Sequence, residues 1–133
     1  MAVDLDITGV NEIRHPELEV LQYDLESRPW PFPPEFFDGI VVCNYLHRPL
    51  LPHLASSLKP GGVLIYTTFM SGNEAFGRPR NPEFLLKPDE LRISFNDRME
   101  KLDFRQGETG TPANAVKQSI ALKKISENTS GNR

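Results

Sequence analysis

The stretch from Phe37 to Phe69 limits what this chain can fold into more than any other. Phe37-Asp38-Gly39-Ile40-Val41-Val42-Cys43 is apolar almost throughout, a helix-length segment runs from Leu50 to Leu58, and Lys59-Pro60-Gly61-Gly62 leads into Val63-Leu64-Ile65-Tyr66-Thr67-Thr68-Phe69. A near-continuous apolar run reads as a strand buried on both faces, and two such runs joined through a helix make a parallel βαβ unit. The expected fold class is therefore α/β. Leu50, Leu51, Leu54 and Leu58 share one helical face, Pro49 suits the first turn, and Gly61 and Gly62 are expected to end that helix. Gly39 to Leu46, as a strand buried on both faces, should have strand neighbours on both sides, yet only the one beginning near Gly62 is evident.

The flanks extend the pattern. Val3-Asp4 reads as the end of a strand that begins before Met1, because strands are usually about five residues long. Leu18 to Leu25 alternates well enough for a second strand ending in an acid, Asp24. Pro29, Pro31, Pro33 and Pro34 exclude a helix between Ser27 and Glu35 and leave a stiff extended loop. Met70 to Pro88 is a long Gly/Pro/Asn/Arg-rich loop, and Lys87 to Leu91 starts a short helix. Met99 to Phe104 and Ala115 to Ile125 read as closing strands joined by a turn holding Gly107, Gly110 and Pro112. The second alternates, as an antiparallel strand with one wet face does. The domain is expected to span residues 1–125, with a disordered polar tail over 126–133.

Composition narrows the partners. A net charge of −3 argues against a general nucleic-acid surface, which needs a positive field. No apolar run approaches the roughly 18 residues of a membrane span, and no secretion signal stands at the N-terminus, so a cytoplasmic location is expected. Cys43 is the single cysteine, and its apolar surroundings suggest a buried thiol. His15, His47 and His53 lack metal-ligand spacing, so no metal is expected.

In open α/β sheets ligands lie beyond the carboxyl ends of the parallel strands. The candidate strand ends carry Asp4 and Asp6, Asp24, and Asn44 with Tyr45 and His47. A carboxylate there can accept both hydroxyls of a ribose, an apolar neighbour such as Leu5 can cover an adenine face, and a second carboxylate can accept from the adenine amino group. The plain alternative for each acid is a solvated loop residue.

The order of these features, with Asn44-Tyr45-Leu46-His47 after one strand and Lys59-Pro60-Gly61-Gly62 before the next, resembles class I S-adenosylmethionine (SAM)-dependent methyltransferases. It is most similar to the small-molecule type related to tellurite-resistance methyltransferases, over Val3 to Arg92. The resemblance implies a Rossmann-like sheet, truncated at the N-terminus, with an antiparallel C-terminal strand. It implies SAM as cofactor, Asp4 and Leu5 at the ribose, Asp24 and Leu25 at the adenine, and Asn44 and Tyr45 beside the methionine part and the methyl acceptor. One departure stands out: the family's first strand and its Gly-x-Gly loop have no counterpart, and no Gly-x-Gly occurs in these 133 residues. Without that strand the Gly39 to Leu46 strand presents an unpaired edge, which opens self-association through it.

His47 can serve as a general base, or it can orient the helix that follows. Arg78, Arg80 and Asn81 can bind an anionic substrate or belong to a solvated loop, and Glu74 is open in the same way between a site residue and a surface one. Phe69, Phe76 and Phe84 suit loop anchoring better than a substrate cage. Two functions remain in contention: SAM-dependent methyl transfer to a small molecule or protein, and a non-catalytic methyltransferase-like unit used for interaction or folding. An NAD-type oxidoreductase has no dinucleotide fingerprint to support it.

Overall fold

The computed structural model describes residues 2–4, 20–95 and 97–126. The chain divides into two compact units, Met1–Pro31 and Phe32–Arg133.

In the first unit, β1 (Ala2–Asp4) and β2 (Val20–Gln22) pair in parallel, with Asp4 opposite Gln22. The second strand thus ends at Gln22, before the Asp24-Leu25 end that its alternation suggests. Beyond it the chain turns at Asp24, whose backbone carbonyl accepts from Arg28 N–H. The proline-rich segment that follows holds no helix, as expected, and turns at Pro34 and Glu35.

The second unit holds a four-stranded sheet of β3 (Phe37–Cys43), β4 (Leu58–Phe69), β5 (Met99–Thr109) and β6 (Ala115–Lys124), in the order β3-β4-β6-β5. β3 and β4 are parallel, while β6 runs antiparallel to both β4 and β5. The crossover between β3 and β4 is a single 3₁₀ turn, Arg48–Leu50, continuing into α1 (Leu51–Ser56). Leu50, Leu51, Leu54 and Leu58 are all buried against the sheet. The helix ends at Ser56, earlier than the Gly61-Gly62 pair predicts. Lys124, reaching across from β6, donates to the carbonyls of Ala55 (3.0 Å) and Leu58 (2.8 Å), which satisfies carbonyls the helix end leaves open.

The Lys59-Pro60-Gly61-Gly62 stretch belongs to β4, where it makes an irregularity: Phe37 pairs with Leu58, yet Gly39 already pairs with Val63. Gly61 has a φ of +83°. A Cβ on Gly62 would lie 2.9 Å from both the Asp38 and the Lys59 carbonyl oxygens, so the strands approach closely here only because glycine stands there. Gly107, expected in the β5–β6 turn, lies within β5 instead, at a φ of +133°.

The core lies on one face of this sheet. Leu64 and Tyr66 of β4 and Ile120 and Leu122 of β6 are buried there with Leu86 and Leu91 from the loop and α2 (Glu90–Ser94). The opposite face is open: Val41 is 67% exposed and Ile65, its partner across the strands, 45%. Cys43 is exposed as well. The expectation of a strand buried on both faces, with a buried thiol, is therefore corrected. Among the described residues, the buried side chains of β4 and β6 lie on the other face.

Candidate functional site at the carboxyl ends of β3 and β4

β3 ends at Cys43, and Asn44 follows with a φ of +53°, a left-handed conformation that asparagine tolerates better than most residues. Its N–H still donates to the Thr67 carbonyl at 2.8 Å, so the chain leaves the ladder only after one more bond. Its side-chain Oδ1 accepts from Lys117 Nζ at 3.0 Å. That ammonium also sits 4.7 Å from the centre of the Phe69 ring. Phe69 and Lys117 are direct partners in the β4–β6 register, which explains the cation–π contact. A cation is thus held at the carboxyl ends of the two parallel strands by an amide and an aromatic face.

The next residues are fixed from beneath. The Tyr66 hydroxyl, on a side chain only 1% exposed, donates to the Tyr45 carbonyl at 2.6 Å. Burial raises the Tyr66 pKa well above the ordinary phenol value, with the neighbouring Tyr45 adding to the shift, so this donor keeps its proton. His47 stands before the Arg48–Leu50 turn and closes it through its backbone carbonyl, which accepts from Leu50 N–H at 3.0 Å; its side chain makes no capping bond to that turn.

The long loop bordering this end is pinned rather than loose. Arg48 reaches Glu90 with two bonds, Nε to Oε2 at 2.6 Å and Nη2 to Oε1 at 2.9 Å, and also donates to the Glu83 and Leu85 carbonyls. Asn73, 2% exposed, accepts from Val116 N–H and donates to the Pro79 carbonyl. Gln118, fully buried, accepts from Leu91 N–H at 2.7 Å and donates to the Lys87 carbonyl and to Gln106 Oε1. Every buried side-chain nitrogen and oxygen among the described residues has a partner. Glu74 accepts from Gly72 N–H with both oxygens, and Asn81 caps the Pro82–Phe84 turn through Glu83 N–H. Arg78 and Arg80 are exposed, as are Phe76 and Phe84, so these two rings anchor little.

In the first unit Asp4 ends β1 and Asp24 follows the end of β2, so both stand at the carboxyl ends of neighbouring parallel strands, as expected. The Asp24 carboxylate closes its own turn. Oδ1 accepts from Glu26 N–H at 3.0 Å and Ser27 N–H at 3.2 Å, and Oδ2 accepts from Ser27 Oγ at 2.5 Å. The Ser27 hydroxyl bond leads in holding its pKa below the usual carboxylate range. Leu25 is half-buried, and Leu5 and Asp6 lie outside the described residues.

Lys117, Gln118 and Arg48 are not legible as site residues in the sequence. Lys117 lies 73 positions from Asn44, and within β6 it shows only as one polar member of an alternating strand.

Solved structures share the fold. A SAM-dependent methyltransferase from Methanosarcina mazei superposes with a TM-score of 0.65 at 17% identity, over 92% of this chain and 80% of that one. The N-methyltransferase NodS from Bradyrhizobium japonicum, solved with S-adenosyl-L-homocysteine (SAH), gives 0.62 at 13% identity, over 93% and 65%. The chain shares their fold. It is a Rossmann-like methyltransferase sheet with an antiparallel penultimate strand in space, the α/β class expected from the sequence. The same fold also carries the [4+2]-cyclase SpnF, with a TM-score of 0.59 at 15% identity over 80% of this chain and 56% of SpnF. No protein-family model and no curated protein sequence matches the chain. Among the described residues, no helix is long and apolar enough to cross a membrane.

Proposed function

We propose that this protein binds SAM and transfers its methyl group to a small molecule or protein. The observation that supports this best is the carboxyl end of β3, where Asn44 turns the chain out of the sheet and holds Lys117 beside Phe69, in a fold shared with methyltransferases. Fold alone does not give function, as SpnF shows. The donor set nevertheless suits the cofactor. Lys117 offers a positive charge to the carboxylate of its methionine part, and Asn44 and Tyr45 offer backbone and side-chain polar groups beside it. The family resemblance alone assigns Asp4, in the first unit, to the ribose hydroxyls. Asp24 retains acceptor capacity beyond its turn bonds, since a carboxylate has about four lone-pair sites. When bound, SAM supplies a methyl group already activated on a sulfonium. The protein then has only to bring an acceptor into line behind it and keep water away, for which a pinned border formed by Arg48, Asn73 and Gln118 is well suited.

Calorimetric titration with SAH tests the reading. With no Gly-x-Gly loop in the sequence to supply backbone donors, affinity is expected to be weaker than low micromolar, at about 10⁻⁵–10⁻³ M. Asp24→Ala and Lys117→Met should each weaken it by roughly tenfold, the size of one charge-assisted hydrogen bond. No binding at millimolar SAH, or binding unmoved in both variants, would refute the assignment.

A further inference from the structure

We propose that β3 is an association edge, and that it pairs antiparallel with β3 of a second copy of this chain in one defined register. Among the described residues β3 has a strand on one side only. Because Asn44 N–H points to Thr67 of β4, alternation along the strand turns the N–H and C=O groups of Gly39, Val41 and Cys43 to the free side. Edge strands are normally protected by charges, proline or a bulge in the strand itself, and Gly39-Ile40-Val41-Val42-Cys43 has no charge and no proline. The one nearby irregularity lies at its start, between Phe37 and Gly39.

The outward main-chain groups select the register. At the start of the edge Asp38 pairs with Lys59 of its own chain at 3.5 Å, and at the other end Lys117 is held by Asn44, so neither charge opposes close approach. In an antiparallel pair centred on Val41, Val41 faces Val41 of the second copy and Gly39 faces Cys43. Two-fold symmetry produces the Gly39–Cys43 pairing twice. All three outward residues of each copy meet outward residues, giving about six main-chain hydrogen bonds. The exposed Val41 and Ile65 side chains of the two copies become one apolar patch on a continuous sheet.

A positive readout tests the register. Gly39→Cys should be tolerated, because a Cβ there meets only the Val63 carbonyl oxygen, at 3.6 Å. The new thiol would face Cys43 of the second copy, whereas the two positions in one chain are about 13 Å apart and cannot bridge. Mild oxidation should convert this variant to a covalent dimer on non-reducing gels, and leave the wild-type protein, with Cys43 alone, unlinked. Sedimentation of the wild-type protein at high micromolar concentration should give twice the 15.1 kDa chain mass. Val41→Lys should give a monomer with unchanged circular dichroism. If Val41→Lys fails to fold, the Gly39→Cys link decides. A monomeric wild-type protein, whether its edge is bare or covered by the chain's own segments, would overturn the proposal. So would a dimer in which the Gly39→Cys link fails to form, or a folded Val41→Lys protein that stays dimeric.

Discussion

Arg48 and Glu90, 42 residues apart in the chain, meet in a two-bond ion pair that ties the turn after β3 to the start of α2. Glu90 Oε1 also accepts from Lys87 N–H at 2.8 Å, and Arg48 continues to the carbonyls of Glu83 and Leu85. The ion pair thereby ties together Glu83, Leu85 and Lys87 at the end of the long loop and Glu90 at the start of α2. Apolar packing holds the same stretch, since Leu85 and Leu86 are buried while Phe84 beside them is 50% exposed.

The clamp makes acid stability depend on Glu90. Its carboxyl is held below the ordinary glutamate value of 4.5, chiefly by the Arg48 hydrogen bond. A lowered folded-state pKa means that the unfolded chain takes up the proton first. The stabilisation is therefore fully present above about pH 4.5 and is lost as the pH falls through the lower folded value. Urea denaturation from neutral to strongly acid pH should show this loss in the wild-type protein and a flatter profile in Glu90→Gln. At neutral pH Arg48→Ala should cost about 1–2 kcal/mol, at the low end for charge-assisted bonds because the guanidinium is partly solvent-screened. A wild-type profile as flat as that of Glu90→Gln would contradict the clamp.

Tyr66→Phe removes a hydroxyl and nothing else. The Tyr45 carbonyl would lose its 2.6 Å donor, and a part-buried acceptor without a partner costs about 1–3 kcal/mol. Denaturant midpoints should fall accordingly with little change in slope, and hydrogen exchange should quicken over residues 44–47 ahead of the rest of β3. A neutral substitution would mean that water replaces the phenol.

Asn44 has two roles that substitution can separate. Its φ of +53° disfavours β-branched side chains, so Asn44→Val should destabilise by about 1–2 kcal/mol, and Asn44→Gly should cost much less. Both lose the bond to Lys117 alike. Urea titrations of the two variants that gave equal losses would show that the Lys117 contact, not the backbone, sets the requirement for asparagine.

By itself the sequence determined the local elements, and it did so through periodicity. The apolar runs of β3 and β4, the leucine face of α1 and the alternation of β6 each depend on neighbours a few residues apart, and all four exist in the structure. The strand ends bearing Asp4, Asp24 and Asn44 were legible for the same reason. What only the tertiary structure decided involves distant residues or competition between local preferences. Gly61 and Gly62 look like a helix stop, but close approach to the Asp38 carbonyl draws them into β4. Cys43 and Val41 read as core, yet burial depends on which elements cover a face, and an apolar run carries no record of that. Gln118 sits on the buried face of β6 where alternation predicts an apolar residue, and it is accommodated because its amide meets Leu91, Lys87 and Gln106, all brought there by the fold. Hydrogen-bond partners far apart in sequence leave no local pattern, so the clamp at Arg48 and the cation at Asn44 exist only once the sheet has assembled.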